Sequence, residues 1–407
     1  MSAEWIEISA RGKGRSFLTL FPRLKPVLLR KDVGSIPFFL AAECGWRASL
    51  AFFEQSDCTT GQLAGDAYGR SVTLLPLGPW GGKLANARRI LRFLLARGRE
   101  FDVFNYYHDS VKNMLYALAY KLGNPGGKVY CKLDMSHLEL ELLEASRLKF
   151  LPSLARRLKW LLSRMAVDFY LAETSAVYRR LSADPYYAGR LHYIPNGIAC
   201  PEGADIERIM AGKERIILTV GSLGATAKNT ELLVDAVALL PPPLISGWQV
   251  CLVGPLVNTD FYESGFRESD HFKKYVEKVV EKHPHLEGTF VFTGPIDDPV
   301  RLQGIYGKAK IFCLTSRYES FGFVVPEAMV YGDYVIASDL PPVRDLTDNG
   351  RLGELFPPGN VQRLAALLAE ALEGEIDFAS RGRDAHAFIM ENYNWRGIVS
   401  RIDLLLS

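Results

Sequence analysis

Two glutamates in the segment Thr315–Ser338 have the residue type and the spacing to bind one polyhydroxyl ligand. Glu319 falls in a predicted loop after an apolar strand, and Glu327 is the second residue of a predicted short helix that Pro326 opens. A carboxylate can accept two hydrogen bonds from a vicinal diol. Seven residues separate the two glutamates, which places both side chains toward one ligand at the start of this helix.

Phe321 and Gly322 lie between these glutamates, and the glycine predicts a close approach of the main chain to a bulky anion. Glycine has no side chain to keep such an anion away from neighbouring N–H groups. The loop therefore indicates a pyrophosphate held without a Walker loop. The spacing alone leaves open a second interpretation, in which both glutamates are solvated residues at a helix start.

Several other catalytic signatures are missing from the sequence. No G-x-G-x-x-G follows the first predicted strand, and neither H-E-x-x-H nor G-x-S-x-G occurs. The six cysteines are widely spaced and form no C-x-x-C pair, so neither a zinc site nor a disulfide framework is predicted. The sequence thus argues against a dinucleotide-dependent dehydrogenase, a zinc protease and an esterase.

The elements that position these residues are apolar strands that alternate with amphipathic helices. The predicted strands are PVLLR, SVTLLPL, FDVFNYY, GKVYCKLD, DFYLAE, RIILTVG, WQVCLVG, TFVFTG, KIFCLTS and YVIAS. The predicted helices include Leu84–Ala96, Ser110–Leu122, Thr230–Leu240, Val361–Leu372 and Trp395–Leu406. This alternation predicts two open α/β units with parallel sheets. The break falls near Tyr193–Asp205, and the expected ligand site is a cleft between the units.

The composition is that of a globular protein of 407 residues, with 48% hydrophobic and 23% charged residues. There is no apolar run long enough to span a membrane and no secretion signal among the first 20 residues, which predicts a cytoplasmic protein. Residues 1–190 carry a net charge of +11 and residues 191–407 carry −9. The basic half predicts an anionic partner, whereas the acidic half argues against nucleic acid.

Four segments in order resemble the retaining glycosyltransferases of family 4, also called glycosyl transferases group 1. They are the E-x7-E segment Glu319–Glu327, Ile194-Pro195-Asn196-Gly197, Thr219-Val220-Gly221 with Lys228-Asn229, and Phe292-Thr293-Gly294 with Asp297. The resemblance covers residues 190–400 well. It implies the α/β GT-B fold, in which two Rossmann-like parallel-sheet domains face a central cleft. Residues 1–196 would bind the acceptor and residues 197–385 the nucleotide sugar, while 386–407 would be a helix packing back on the first domain.

The resemblance also implies roles for individual residues. Glu327 would bind the ribose diol, Glu319 the hydroxyls of the donor sugar, and Lys228 the pyrophosphate. Gly294 belongs to the loop that packs on the nucleotide base. Gly34, within the segment RKDVGS, would face the donor phosphates, although a plain turn from a strand into a helix explains the segment almost as well.

The sequence departs from the family pattern at two places. Ser222 stands where the family commonly has an arginine, so a second cation on the pyrophosphate would come from Arg317 or Lys31. Asp134 stands where a histidine often contacts the donor sugar, with His137 three residues on. Asp134 would accept a sugar hydroxyl or the acceptor proton, or else cap a helix. His108 and His137 are acceptor-side candidates.

The implied reaction is metal-independent transfer of a hexose-like sugar, with retention, from a nucleoside diphosphate sugar to a hydroxyl of a glycan or lipid-linked glycan. Bacterial surface polysaccharide assembly is the implied process, with no cofactor besides the nucleotide sugar. The alternatives are a glycogen-synthase-like polymerase, a nucleotide-sugar epimerase and a non-enzymatic nucleotide-sugar-binding partner protein. Two basic segments, Leu84–Leu95 and Arg147–Met165, predict peripheral docking on the inner face of the plasma membrane, or else ordinary helices covering a sheet.

Overall fold

The computed structural model describes residues 14–64, 71–136, 139–141, 153–199, 205–257, 269–374 and 376–407. These residues fall into two compact units. Of these described residues, unit 1 comprises those within 1–135, 139–199 and 394–407, and unit 2 comprises those within 136–138 and 200–393. The sequence placed the boundaries at residues 196/197 and 385/386, whereas the structure has the first at 199/200 and the second at 393/394.

Unit 1 is built on a seven-stranded parallel sheet in the order β3-β2-β1-β4-β5-β6-β7. Its strands are β1 Ser16–Leu20, β2 Arg47–Glu54, β3 Thr73–Pro79, β4 Val103–Tyr107, β5 Lys128–Lys132, β6 Phe169–Ala172 and β7 Leu191–Tyr193. All five residues of β1 are buried, as expected for a central strand with both faces covered.

Helices cover both faces of this sheet. They are α1 Asp32–Cys44, α2 Thr60–Ala64, α3 Lys83–Arg97, α4 Val111–Gly123, α5 Ser153–Ala166, α6 Ser175–Ser182 and, at the end of the chain, α16 Trp395–Leu406. On one face, α3 and α4 bury Phe93 and Tyr120 against the sheet. On the other, α16 packs on α1 and buries Trp395. A Cβ on Gly197 would lie 2.6 Å from the Trp395 ring, which explains this glycine by packing.

One predicted strand of unit 1 is wrong. The run PVLLR forms a 3-10 helix, Pro26–Arg30, of which only Leu29 is buried. Proline fixes φ near the helical value and has no N–H for a sheet ladder, so it suits the first turn of a helix. The true first strand is β1, and the sequence interpretation missed it together with β2 and β7.

Unit 2 is built on a six-stranded parallel sheet in the order β10-β9-β8-β11-β12-β13. Its strands are β8 Ile216–Val220, β9 Gln249–Val253, β10 Phe290–Gly294, β11 Ile311–Leu314, β12 Tyr334–Ser338 and β13 Gly353–Phe356. Its helices are α7 Ile206–Ala211, α8 Glu231–Ala238, α9 Pro242–Ile245, α10 His271–Lys282, α11 Pro299–Lys308, α12 Val324–Val330, α13 Pro341–Leu346, α14 Val361–Leu372 and α15 Phe378–Asn392. Both sheets share the 3-2-1-4-5-6 strand order of doubly wound folds.

Candidate functional site

The candidate site of unit 2 lies where the strand order of its sheet reverses, between β8 and β11. These strands are neighbours, and the loops that follow them leave the same edge of the sheet toward helices α8 and α12. Ligands of open α/β sheets bind outside the carboxyl ends of the strands at this kind of switch point. The loop after β8 carries Lys228, and the loop after β11 carries Glu319.

Lys228 and Glu319 form an ion pair at this switch point. The Lys228 Nζ donates to Glu319 Oε1 at 2.6 Å, and Ser316 Oγ donates to the same oxygen at 2.6 Å. The Lys228 side chain is 29% exposed and that of Glu319 is 10% exposed. The ammonium group has three N–H donors, so two remain for a ligand. The structure thus brings together two of the residues predicted to bind the donor, and they are each other's partner.

Arg317 ties the two loops together. Its N–H donates to the Ala227 carbonyl at 2.8 Å, and its guanidinium donates to Asn229 Oδ1 at 2.9 Å. Thr315 Oγ1 adds a bond to the Lys228 carbonyl at 2.9 Å. Arg317 is therefore anchored beside Lys228 and remains exposed. Its predicted role as the cation replacing the family arginine at Ser222 stays a prediction.

Three glycines end neighbouring strands beside these loops. A Cβ on Gly254 would lie 1.8 Å from the Gly221 carbonyl oxygen, so only glycine fits after β9. The Gly254 N–H donates to the carbonyl oxygen of Gly294 at 3.1 Å. Gly294 adopts φ 70° at the end of β10, a left-handed conformation that favours glycine. The structure therefore explains Gly294 by its backbone conformation, and its contact with a nucleotide base stays a prediction.

The loop between the two glutamates differs in detail from the predicted one. Helix α12 begins at Val324 and not at Pro326, so Glu327 is its fourth residue. Gly322 adopts φ 82°, which agrees with the need for glycine in the loop. The Phe321 ring is 3% exposed and packs on Phe323, with ring centroids 5.0 Å apart. Phe321 therefore supports the loop from inside, and its predicted contact with the donor stays a prediction.

Glu327 has a partner that the sequence interpretation missed. The Tyr306 hydroxyl, from α11, donates to Glu327 Oε2 at 3.0 Å. Tyr306 is 2% exposed and its ring stacks on Tyr331 with 6.0 Å between centroids. Burial, followed by the Glu327 carboxylate, raises the pKa of Tyr306 well above its ordinary value, so the hydroxyl remains a donor. Tyr306 thereby fixes one oxygen of the glutamate predicted to bind ribose.

In unit 1, the structure gives Gly34 a packing role. Gly34 lies in the first turn of α1, and a Cβ there would come within 2.2 Å of the Leu29 carbonyl oxygen. The backbone of α1 thus approaches the preceding 3-10 helix too closely for any side chain. Lys31 directly precedes α1. The predicted contacts of Gly34 and Lys31 with donor phosphates stay predictions.

The acceptor-side candidates His108 and Asp134 lie at the ends of neighbouring strands, β4 and β5. His108 Nε2 and Asp134 Oδ2 are 4.0 Å apart, with side chains 56% and 36% exposed. Both residues adopt left-handed backbone conformations, φ 64° and 42° respectively. The structure therefore brings these two candidates together, while His137 lies outside the described residues.

The matches with known proteins concentrate in unit 2. Residues 205–395 match the family model described as glycosyl transferases group 1. The chain is 31% identical over 215 residues to phosphatidyl-myo-inositol mannosyltransferase of Mycobacterium tuberculosis (strain ATCC 25618 / H37Rv), covering 51% of this chain and 52% of the relative. It is 29% identical over 214 residues to GDP-mannose:cellobiosyl-diphosphopolyprenol alpha-mannosyltransferase of Komagataeibacter xylinus, covering 52% and 49%. The chain spans about half the length of these two relatives.

Solved structures match nearly the whole chain. Anabaena Alr3699/HepE in complex with UDP and glucose gives a TM-score of 0.68 at 19% identity, covering 96% of this chain and 99% of that one. A glycosyltransferase from Rickettsia africae ESF-5 gives 0.72 at 14% identity, covering 97% and 98%. Together with the two Rossmann-like sheets, this similarity decides the architecture. The fold is GT-B.

The predicted fold class is thus confirmed. The sequence interpretation missed two features of this fold. The first is Tyr306, because a tyrosine at helical spacing in the sequence is usually an ordinary core residue. A second group lies at the strand ends of unit 1, where Lys132, Asp32 and Glu173 form a buried charged cluster. In this GT-B chain Lys132 ends an apolar strand, and nothing in the local pattern distinguishes it from a solvated strand-end lysine.

Proposed function

We propose that this protein is a retaining, family 4 glycosyltransferase that moves a hexose-like sugar from a nucleoside diphosphate sugar to a hydroxyl group of a glycan or lipid-linked glycan. The observation that carries the proposal is the Lys228–Glu319 pair at the switch point of unit 2. It lies inside the segment that matches glycosyl transferases group 1. A partly exposed cation at this point is what a departing diphosphate requires.

Each residue of this site has a separate task in the proposed reaction. Lys228 stabilises the charge that develops on the diphosphate as the bond to the anomeric carbon breaks. Glu319 accepts hydrogen bonds from hydroxyls of the donor sugar, and Glu327 from the ribose diol. Tyr306 holds the Glu327 carboxylate in place before the nucleotide arrives. Donor binding requires Lys228 to share its protons between Glu319 and the diphosphate.

The proposed reaction needs no metal, because Lys228 supplies positive charge at the diphosphate, with Arg317 and Lys31 as candidates for a second cation. The acceptor oxygen forms the new bond to the anomeric carbon on the face that the diphosphate leaves. The departing phosphate takes the acceptor proton, so the electron pair and the proton both end on the nucleoside diphosphate. A double displacement would require a second carboxylate. Asp134 is the candidate we nominate for it.

Similarity to known proteins supports the choice of substrate class. One relative is by name a mannosyltransferase acting on phosphatidyl-myo-inositol, and another acts on cellobiosyl-diphosphopolyprenol with GDP-mannose. A structural neighbour holds UDP and glucose. We therefore favour a nucleotide-hexose donor and a lipid-linked acceptor, as in the assembly of bacterial surface polysaccharides.

We further propose that the protein works as a cytoplasmic enzyme docked on the inner face of the plasma membrane. Helix α4 packs against both α3 and α5, so these three helices lie side by side on unit 1. They contain eleven Lys and Arg residues, five in α3, two in α4 and four in α5, and no Asp or Glu. Such a surface favours anionic lipid headgroups.

Exposed apolar side chains on the same three helices support lipid as the partner. Of the fifteen large hydrophobic side chains exposed in the described part of the chain, nine are on α3, α4 and α5, among them Leu84, Leu122 and Trp160. Apolar side chains interspersed with cations are typical of interfacial helices. No helix in the described part combines the length and apolar composition needed to cross a membrane. Residues 147–152 of the predicted basic segment lie outside the described residues.

The experiment that tests the function begins with a thermal-shift panel of nucleoside diphosphates and nucleotide sugars. A ligand at about 100 times its Kd stabilises the folded state by about 2.7 kcal/mol. The preferred donor is then incubated with lipid-linked glycan, with and without EDTA, and the anomeric configuration of the product is determined by NMR. We expect a retained configuration and no effect of EDTA.

The rival functions give different results in the same experiment. Epimerised free donor without acceptor would indicate an epimerase, and extension of a glucan primer would indicate a glycogen-synthase-like polymerase. Binding without turnover on any acceptor would indicate a nucleotide-sugar-binding protein. An inverted product would contradict the retaining mechanism.

A further inference from the structure

Unit 2 contains an ion pair that is almost completely shielded from solvent. Lys213, between α7 and β8, pairs with Asp333, between α12 and β12. Their side chains are 2% and 0% exposed, and Asp333 Oδ2 has no hydrogen-bond partner within the described residues. A buried ion pair is often no more stabilising than apolar side chains of similar volume. Stability alone therefore gives no reason to place these two charges here.

Lys213 also holds the end of α11, the helix that carries Tyr306. The Lys213 Nζ donates to the Tyr306 carbonyl oxygen at 3.0 Å. The N–H of the next residue, Glu214, donates to the Lys308 carbonyl oxygen at 2.7 Å. The last four carbonyl groups of a helix have no partner within it, and a lysine at this end also complements the helix dipole. Residues 213 and 214 thus fix the position of the last turn of α11.

Asp333 is held in turn by α12, the helix that carries Glu327. The Asp333 N–H donates at 3.2 Å to the carbonyl oxygen of Ala328, the residue after Glu327. Gly332 adopts φ 73°, and a Cβ on it would lie 2.5 Å from Met210 Sδ of α7. This turn is therefore packed too closely for any other residue at position 332. The Asp333 carboxylate has a fixed position relative to Glu327.

These contacts form a closed circuit that contains the hydrogen bond between Tyr306 and Glu327. Tyr306 is held at its carbonyl oxygen by Lys213 and at its hydroxyl by Glu327, and Lys213 is held by Asp333 at the end of α12. The Tyr306 hydroxyl lies 3.0 Å from Glu327 Oε2. A donor–acceptor distance of about 3.6 Å is no longer a hydrogen bond, so a shift of α11 by little more than about half an ångström would break this contact.

We propose that Lys213 and Asp333 are positioning residues of the nucleotide-binding site, which keep Tyr306 within hydrogen-bond distance of Glu327. The inference rests on the proposed function, in which Glu327 accepts hydrogen bonds from the ribose diol. The buried pair therefore acts on the affinity for the nucleoside diphosphate. Sugar transfer from bound donor keeps its rate, because Lys228 and Glu319 are held by the contacts of their own loops.

The variant that tests this role removes both buried charges at once. Lys213→Met with Asp333→Leu replaces the ion pair by apolar side chains, a change that is often neutral or stabilising at a buried position. It removes the side-chain contact with the Tyr306 carbonyl oxygen. The matched control is Lys308→Gln with Glu214→Gln, which removes an exposed ion pair of 3.0 Å at the same end of α11. The control keeps the main-chain bond between these two residues.

The first measurement needs no nucleotide. The full chain is labelled with 13C-tyrosine, and the signal of the Tyr306 carbon that bears the hydroxyl is assigned by its loss in Tyr306→Phe. Glu327→Ala gives the reference position for a Tyr306 hydroxyl that has lost this acceptor. We expect the signal in the Lys213→Met, Asp333→Leu variant to move toward that reference, and the signal in the control to stay at its wild-type position.

The second measurement is calorimetric titration with UDP and with GDP, followed by kinetics with the matching nucleotide sugar. In the Lys213→Met, Asp333→Leu variant we expect Kd for the nucleotide to rise about fivefold, the effect of losing one hydrogen bond. KM for the donor should rise and kcat should stay unchanged. In the Tyr306→Phe background the same two substitutions should have no further effect on Kd, whereas general damage to the fold would weaken binding in both backgrounds.

Should the double variant fail to fold, Lys213→Met alone carries the test. Burial raises the pKa of Asp333 to about 7 although Lys213 opposes this rise. Without the lysine the pKa of this carboxyl group rises further, so at pH 6 Asp333 takes up a proton and leaves no unpaired buried charge. Both measurements are then made at pH 6, with the same expected results.

The outcomes separate the positioning role from the proposed function. A folded variant whose Tyr306 signal or nucleotide Kd stays at the wild-type value would overturn the positioning role, and so would a loss of affinity that adds to that of Tyr306→Phe. A shifted Tyr306 signal in a protein that binds neither UDP nor GDP, wild type included, would support the coupling of Lys213 and Asp333 to Tyr306 and reject the proposed function.

Discussion

The two units share a strand order but arrange charge differently at the carboxyl ends of their strands. In unit 2 a single ion pair, Lys228–Glu319, lies at the switch point, and the lysine is 29% exposed. In unit 1 the lysine at the corresponding sheet edge, Lys132, is 3% exposed and lies between two carboxylates. The same architecture thus presents an accessible charge in one unit and a buried one in the other.

The difference in burial teaches which charges can act on a ligand directly. A partly exposed ion pair contributes little to stability, so its lysine can share protons with a diphosphate at small cost. A buried pair resists separation, since removal of one partner leaves an uncompensated charge. Unit 2 therefore suits direct binding of an anion, whereas the cluster of unit 1 keeps its charges away from solvent.

The largest expected effect comes from the accessible charge. Lys228→Ala should lower kcat by about a hundredfold or more, because it removes a preorganised charge from the departing diphosphate. The melting temperature should change little. Steady-state kinetics with the preferred donor measure this.

Lys308→Ala is the matched control for Lys228, because Lys308 is also a lysine of unit 2 paired with a carboxylate, at 3.0 Å from Glu214. It is fully on the surface, with 62% of its side chain exposed, and should leave kcat unchanged. If Lys228→Ala has the same kcat as the control, Lys228 does not stabilise the departing diphosphate, and Arg317 or Lys31 becomes the candidate for that role.

The next effect concerns the nucleotide. Glu327→Ala should weaken binding of the nucleoside diphosphate by about 1.5–3 kcal/mol, the usual contribution of a hydrogen bond to a charged group. The fold should survive, because α12 is otherwise held by buried Val325, Ala328 and Met329. Calorimetric titration measures the loss, and an unchanged Kd would remove Glu327 from the nucleotide site.

The sequence predicted five of the six strands of unit 2, because these are continuous apolar runs, and it missed β13, the short segment Gly353–Phe356. It failed at β1 of unit 1, the run SFLTL, for a physical reason. Ser16 Oγ donates to Asp102 and Thr19 Oγ1 to Asn105, each partner lying 86 residues away. These bonds satisfy hydroxyl groups that look unsuited to a buried strand, and local patterns do not report partners so distant.

The residues of the candidate site likewise divide into those that the sequence could predict and those that it could not. Glu319, Glu327 and Lys228 were predictable because residue type, spacing and resemblance agree, although their roles stay predictions. Tyr306 was not, because it lies 21 residues before Glu327 in the sequence and its hydroxyl group reaches the carboxylate only through the tertiary fold. The Pro326 helix start was misplaced by two residues, since a proline fits any position in the first turn.

The basic surface of unit 1 gives the third effect. Arg88→Gln combined with Arg157→Gln removes two exposed cations, one from α3 and one from α5. Each should contribute about 1 kcal/mol to binding of anionic vesicles at low salt, so vesicle affinity should fall about thirtyfold. Wild-type binding should weaken as salt rises. Co-sedimentation with phosphatidylglycerol vesicles measures this.

The control for this surface is again in unit 2. Helix α10 is also basic, but it contains two glutamates among its four lysines. Lys273→Gln with Lys278→Gln should therefore leave sedimentation unchanged. If both double variants lose vesicle binding equally, the binding depends on the net charge of the protein and not on this surface. If wild type does not sediment with the vesicles at low salt, α3, α4 and α5 are ordinary helices that cover a sheet.

The smallest expected effect tests whether unit 2 is preorganised. Tyr306→Phe removes one hydroxyl and keeps the ring that stacks on Tyr331. Glu327 is only partly buried, so water can replace the lost donor, and nucleotide affinity should fall by about 1 kcal/mol, or about fivefold. In the Glu327→Ala background the same substitution should have no effect on affinity, because Tyr306 acts through Glu327 alone. If the losses of nucleotide affinity add in the double variant, Tyr306 acts on the nucleotide independently of Glu327. The nucleotide site of unit 2 would then include α11 in addition to the loops after β8 and β11.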